Sequence, residues 1–310
     1  MRSVVVLAVA AAATATLNGC GSEPARVGDG IVFASKRTGD FEIYARAGRR
    51  LVNLSKTPAR PGSEADDYQP SWSPDGRRIA FTSTRDHRGD GNEAWDVYVM
   101  DADGGNVHRL SDDFTPDVRP GWLPDGRVVF TTCRHGFTHC RFVAVKPTGS
   151  DEETLLELGT FVLDATPSPD GKRIAFTRRL RSGAAEVCVR ALASRLQCFG
   201  EGGAPTWSPD GKRIVFVSTR ARNGRCFFHD CFGFAPELYV MNSDGSAVRR
   251  LTHTTAYETD PTFAPNARQI IFARLTAETD DYELWTIRLD GGGERQLTSN
   301  RSWDIMPSWR

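Results

Sequence analysis

Apolar and polar positions alternate with a period of two along most of this chain, in short runs broken by glycine, proline, aspartate and asparagine. Such runs read as β-strands rather than helices. One run recurs with the same shape: Ile79-Ala-Phe-Thr82, Val128-Val-Phe-Thr131, Ile174-Ala-Phe-Thr177, Ile214-Val-Phe-Val217 and Ile270-Ile-Phe-Ala273. A second follows after a variable loop, as in Asp96-Val-Tyr-Val-Met100, Glu237-Leu-Tyr-Val-Met241 and Glu283-Leu-Trp-Thr286. Tight turns rich in aspartate and glycine then lead to outer strands ending at Leu110, Leu251 and Leu297. No helical periodicity interrupts the pattern after the N-terminal region.

One motif precedes each recurrence. Pro70-Ser-Trp-Ser-Pro-Asp-Gly76 returns as Pro120-Gly-Trp-Leu-Pro-Asp-Gly126 and Pro205-Thr-Trp-Ser-Pro-Asp-Gly211. Degenerate copies are Ala165-Thr-Pro-Ser-Pro-Asp-Gly171 and Pro261-Thr-Phe-Ala-Pro-Asn-Ala267. Their last positions lie 50, 45, 40 and 56 residues apart. Four strands per repeat of that length describe the blade of a β-propeller. Ile31-Val-Phe33, Glu42-Ile-Tyr44 and Leu51 to Leu54 supply a blade without its inner strand, and Pro307-Ser-Trp309 supplies an inner strand with nothing after it. Joined, they complete a sixth blade and protect sheet edges. The expected fold is all-β: a six-bladed β-propeller of four-stranded antiparallel blades, closed by pairing the N- and C-terminal strands.

The string Pro-x-Trp-Ser-Pro-Asp-Gly-x-x-Ile-Ala-Phe, followed by Asp/Glu-Ile/Val-Tyr-Val-x-Asp-x-Asp-Gly, resembles the repeat of TolB-like, WD-repeat-like propellers of the bacterial envelope. The resemblance covers essentially all of residues 31–310. It implies a non-catalytic scaffold that binds a protein or peptide partner. Some propellers of this kind resemble oligogalacturonate lyases, which leaves an alternative: an enzyme or an oligosaccharide or small-ligand binder using the axial funnel, with a divalent cation held by histidines.

The N-terminus sets the expected compartment. Arg2 precedes an apolar run from Val4 to Ala15, too short to span a bilayer and shaped like a secretory signal. Leu17-Asn18-Gly19-Cys20 resembles the bacterial lipobox, which implies a lipid on Cys20. Residues 1–19 then form a lipoprotein signal peptide, 20–30 a lipidated tether and 31–310 the propeller. The expectation is an exported lipoprotein, held at the membrane on the periplasmic or extracytoplasmic side. Ordinary signal cleavage, with Cys20 left as a thiol, is the alternative.

Composition narrows the partners. The 39 basic residues balance 39 acidic ones, which argues against nucleic acid, whose phosphates select a basic face. Of seven cysteines, six fall in local pairs: Cys133/Cys140, Cys188/Cys198 and Cys226/Cys231. In an exported chain these read as disulfides. His135 and His139 near the first pair, and His229 within the third, leave a zinc site as the alternative, although the spacing fits no standard pattern. No resident cofactor or metal is expected.

Recurring side chains read first as blade architecture. Trp72, Trp122, Trp207 and Trp309 share one slot with Phe263 and Pro167, as inter-blade packing requires. An arginine after the second strand faces an acid opening the third, giving expected pairs Arg37/Glu42, Arg85/Asp96, Arg178/Glu186, Arg220/Glu237 and Arg274/Glu283. Function is expected on the face with long loops, which carries His87, His135, His139, His229 and His253. Partner-binding candidates there are Trp95, Phe227, Phe228, Phe232, Phe234 and Tyr257, most of them in the loop from Arg220 to Pro236, which serves either as a recognition anchor or as a packed lid. Asp67, Asp117, Glu258 and Asp304 stand three residues before the repeat prolines. They are either turn-capping groups or, with His253, the lining of the funnel.

Overall fold

Each second strand alternates its buried side chains between two neighbouring blades, which is why the runs are apolar almost throughout. Phe33, Phe81, Phe130, Phe176, Phe216 and Phe272 occupy one position of that strand in the successive blades, and none is more than 3% exposed. Ile79 and Phe81 point to one side and Ala80 to the other, and all three are fully buried. The computed structural model describes residues 30–57, 65–86, 95–111, 115–134, 139–159, 162–191, 195–222, 234–276 and 280–310.

These residues form six four-stranded antiparallel sheets and no helix. Blade 1 is built of the inner strand Asp304–Trp309, then Ile31–Ser35, Glu42–Ala47 and Arg50–Asn53. The inner strands of blades 2 to 6 are Asp67–Trp72, Asp117–Trp122, Val162–Pro167, Gly203–Trp207 and Glu258–Phe263. Their second strands are Arg78–Ser83, Val128–Arg134, Arg173–Arg179, Arg213–Ser218 and Gln269–Thr276. The third strands are Asp96–Asp101, His139–Val145, Ala185–Ala191, Glu237–Asn242 and Asp281–Arg288. The ring closes as expected, with Ile31 opposite Trp309 and Ser35 opposite Asp304.

The Ser-Pro-Asp-Gly turns are self-contained hydrogen-bond units. Ser73 Oγ donates to Asp75 at 2.7 Å, and the backbone N–H groups of Gly76 and Arg78 return to the Ser73 carbonyl and hydroxyl. Ser168/Asp170 and Ser208/Asp210 repeat the arrangement. The serine hydroxyl beside each of Asp75, Asp170 and Asp210 holds that carboxyl below its usual value. The repeat tryptophans knit blades together: Trp122 Nε1 donates to the Ser71 carbonyl at 3.0 Å and Trp207 Nε1 to that of Thr166 at 3.2 Å.

Two disulfides lie within blades. Cys133–Cys140 joins opposed residues of the second and third strands of blade 3, and Cys188–Cys198 joins the third strand of blade 4 to its outer strand, Gln197–Glu201. Cys226 and Cys231 lie outside the described residues, as do Cys20 and the whole of residues 1–29.

Candidate functional site

Every inner strand carries a bulge just before its proline slot, seen as a register shift against the second strand. At the bulge stand Gln69, Arg119, Asp164, Ala204, Asp260 and Met306, all left-handed, with φ between 47° and 56°. An unfavourable backbone conformation repeated in all six blades is an architectural device, since a bulge re-aims its side chain. Here it turns one residue per blade toward the axis, around a cavity of about 150 Å³.

The axial residues do not leave the channel open. Arg119 of blade 3 reaches Asp164 of blade 4 at 2.7 Å and crosses to Asp260 of blade 6 at 3.3 Å. Its backbone N–H is taken by Gln69 Oε1 at 2.8 Å, while Thr177 Oγ1 donates to Asp164 at 3.0 Å. Burial pushes the Asp260 carboxyl above its usual value against the pull of Arg119. Burial also works against the Arg119 charge, yet the two aspartates hold it above the usual range.

This arrangement changes the reading of Asp67, Asp117, Glu258 and Asp304. They do not line the axial cavity; each is 0–1% exposed at the start of its inner strand. Asp304 accepts from Arg37 at 2.7 Å and Ser35 at 2.6 Å, and Asp67 from Arg85 at 2.8 Å and Thr57 at 2.6 Å. Glu258 accepts from Arg274 at 2.6 Å, and burial outweighs that arginine in raising its carboxyl above the usual value. Arg37, Arg85 and Arg274 therefore serve the inner-strand acid rather than the third-strand acid. Only Arg178–Glu186 follows the expected pairing, at 2.7 Å. Asp96 and Glu237 turn instead to Arg109 and Arg250 on the outer strands. An alternating pattern fixes which face a residue takes, but not which of two flanking strands supplies its partner.

The loop face holds a continuous row of rings. Tyr68 packs on Phe41 at 4.8 Å between centroids, Phe41 on Trp303 at 6.3 Å, Trp303 on Tyr282 at 5.3 Å and Tyr282 on Tyr257 at 6.1 Å. Trp303 is 40% exposed and tethered through Nε1 to the Asp280 carbonyl at 3.1 Å. Beyond Tyr257 a groove of about 650 Å³ opens between blades 4 and 5, with Phe234 on its wall at 39% exposure. The structure thus brings Tyr257 and Phe234 to one groove. Trp95 is half-buried at another blade, where its carbonyl accepts from the Asp117 N–H at 2.7 Å. His253 is exposed on the connection into blade 6 and is not among the residues lining the axial cavity. Phe227, Phe228, Phe232, His87, His135 and His229 lie outside the described residues.

Sequence reasoning missed Phe41, Tyr68, Tyr282 and Trp303, because they come from opposite ends of the chain, in blades 6, 1 and 2, and only closure of the ring brings them together. The signal available was that each sits at a loop-to-strand junction on the same face. Among the described residues, metal-ligand chemistry converges only at Glu186, Cys188 and Cys198, and those two sulfurs are bonded to each other.

Residues 141–276 match the model of the TolB beta propeller domain. The chain is a six-bladed propeller, similar over those residues to the TolB beta propeller domain. It is 32% identical over 107 residues to the Tol-Pal system protein TolB of Anaeromyxobacter dehalogenans, covering 34% of the chain and 21% of that protein. It is 24% identical over 204 residues to an uncharacterised protein of Agrobacterium fabrum, covering 62% of each. These matches therefore span less than two thirds of either relative. In shape it is similar to the crystal structure of TolB from Acinetobacter baumannii, with a TM-score of 0.67 at 19% identity, over 91% of this chain and 67% of that one. At that identity the likeness shows the fold.

Proposed function

We propose that this TolB-like propeller is a non-catalytic scaffold of the bacterial envelope whose loop face binds a protein partner. The observation that carries the reading is the row of rings from Tyr68 to Tyr257, ending beside Phe234 and the groove. Rigid aromatic side chains on a stiff scaffold bury much area at little entropic cost, which is how interaction hot spots are built. Export is supported by the two disulfides, which persist outside a reducing cytosol. Anchoring rests on the lipobox-like Leu17-Asn18-Gly19-Cys20; a single lipid chain binds membranes weakly, and several together bind firmly.

The test is crosslinking in native membranes, followed by capture of the chain, comparing wild type with a Trp303→Ala/Phe234→Ala variant. One dominant partner held by wild type and lost from the variant at unchanged melting temperature is the expected result. Equal capture by both removes the aromatic row from consideration. Labelling with an alkyne fatty acid, present in wild type and absent from Cys20→Ala, tests the anchor.

A further inference from the structure

In blades 1 and 2 the same three groups meet where the inner strand begins. A serine on the second strand receives the Nε of an arginine two residues on, and the arginine's Nη2 reaches the inner-strand carboxylate. These are Ser35, Arg37 and Asp304, then Ser83, Arg85 and Asp67. Blade 5 keeps the first two groups. Ser218 receives Arg220 Nε at 3.0 Å, and the Arg220 guanidinium lies over Phe216 and Tyr239, as Arg85 lies over Phe81 and Tyr98. The carboxylate position is held by Gly202.

The backbone shows that Gly202 is the true counterpart. The Asp67 N–H bonds the Phe41 carbonyl, Asp117 that of Trp95 and Glu258 that of Pro236; each acceptor immediately precedes the third strand of the preceding blade. Gly202 N–H bonds at 3.0 Å to the carbonyl of Ala185, the residue just before Glu186, which holds the position of Glu42, Asp96 and Glu237. Its chain runs so close to the second strand that an added Cβ would lie 2.7 Å from Phe216 Cδ2. No side chain fits there, and Arg220 Nη2 donates instead to the neutral carbonyl of Glu201. Among the described residues Arg220 has no carboxylate partner.

The missing acid lies beside the groove. Where blades 1 and 6 are entered through residues 298–303 and 252–257, blade 5 follows the outer strand of blade 4 with Gly202 alone between them. Among the described residues a groove takes the place of that connection, lined by Arg179, Arg222, Phe234, Pro236 and Tyr257, and by Ser218 and Glu201, which hold Arg220. Among the described residues Arg179 and Arg222 line the groove with one carboxylate, Glu201, which already accepts from the Thr219 N–H and hydroxyl; Arg220 adjoins it through Ser218 and the Glu201 carbonyl. Arg222 is fixed in a left-handed turn, its N–H bonded to the Thr219 carbonyl at 2.8 Å.

We infer that the groove between blades 4 and 5 binds an acidic, extended peptide segment of the partner, whose carboxylates engage Arg220, Arg222 and Arg179 in place of the carboxylate that Gly202 omits. This rests on the protein-binding reading above and gives its partner a chemistry. Guanidinium groups recognise carboxylates by paired, charge-assisted hydrogen bonds, and partial desolvation in a groove strengthens them. The apolar wall of Phe234, Pro236 and Tyr257 suits the side chains between the acids. The hydroxyls and the carboxylate on the lining are already engaged with one another and with Arg220, Ser218 with Arg220 and the Glu201 carbonyl and Thr219 with the Glu201 carboxylate. Recognition therefore falls to the arginines, which favours an acidic peptide over a neutral sugar.

The experiment titrates the full chain with a fluorescein-labelled peptide alternating glutamate with leucine, with its glutamine counterpart, and with trigalacturonate. The glutamate peptide should bind at least about tenfold more tightly than the glutamine one and weaken with added salt. Arg222→Gln, at an exposed side chain, and Arg220→Gln should each lower its affinity by about tenfold. Equal affinity for the two peptides, no binding of the glutamate peptide, unchanged affinity in Arg222→Gln, or preferential binding of trigalacturonate would each overturn the inference. Membrane crosslinking separates the two levels of argument. A partner captured equally by wild type and by Arg220→Gln/Arg222→Gln refutes the acidic groove alone, whereas no partner on wild type removes the parent reading and this one with it.

Discussion

Arg119 and Asp260 stand 141 positions apart in the chain and meet at 3.3 Å across the axis of the ring. The contact ties two opposite blades, and with Asp164 it fills the centre with one positive and two negative groups. The axis of this propeller is a structural joint.

Removing the central cation should expose that joint. Arg119→Met leaves two inward-facing carboxylates uncompensated and is expected to cost about 3–5 kcal/mol at neutral pH. The Asp260 carboxyl is already raised in the folded chain. A raised carboxyl stabilises the fold at acidic pH and loses that contribution as pH rises through the folded value. Urea unfolding of Arg119→Met should therefore show stability falling more steeply with pH than in wild type, and Arg119→Met/Asp260→Asn should recover much of the loss. A flat pH response in the single variant would refute the account.

Ring closure offers a second measurement. Asp304 is fully buried and depends on Arg37, Ser35 and Asn300. Arg37→Ala should cost about 3 kcal/mol, because the carboxylate stays buried without its cation. Thermal unfolding should then begin at blade 1, with hydrogen exchange in Ile31–Ser35 and Asp304–Trp309 accelerated ahead of that in blades 3 and 4.

Reduction of the Cys188–Cys198 bond, or Cys188→Ala/Cys198→Ala, should lower stability by about 2–3 kcal/mol through the freed unfolded chain. Denaturant unfolding with and without reductant reads this directly. Wild type should lose stability on reduction, and a variant lacking Cys133, Cys140, Cys188, Cys198, Cys226 and Cys231 should show no loss.

Gly202→Ala should be costly for a local reason. The new methyl would meet Phe216 Cδ2 at 2.7 Å and the Val217 carbonyl oxygen at 2.9 Å. Overpacking of this kind costs about 1–3 kcal/mol, measurable as a shift in denaturation midpoint. Gly39→Ala, where an added Cβ meets nothing within 4 Å, is the matched control for crowding.

The blades were legible because each repeats the same local rules. Ser73, Asp75 and Gly76 specify a turn on their own, and Phe81 marks the buried centre of a strand wherever it recurs. The closure of the ring was legible too, since Ile31-Val-Phe33 and Pro307-Ser-Trp309 each lack what the other provides. What stayed hidden depends on angle around the axis. Arg119, Asp164 and Asp260 look unrelated along the chain and converge only because a bulge aims one residue per blade inward. Asp67 and Asp304 read in the sequence as either turn caps or funnel lining, and that choice is settled only by Arg85 and Arg37, which hold them buried away from the axial cavity. Phe41, Tyr68, Tyr282 and Trp303 form a surface only after ring closure has set blade 6 beside blades 1 and 2.

Closure through Asp304–Trp309 also sets the order in which the molecule is completed. Ile31–Ser35 is among the first strands made and has no inner neighbour until residues 304–309 have emerged, nearly the whole chain later. Until then the nascent ring is an open arc with the backbone of one apolar edge unpaired, and contacts spanning so much sequence are slow to form. A chain cut anywhere before Asp304 keeps that edge for good. Quality control that senses exposed strand edges would therefore read the last few residues of this propeller as the mark of a finished product.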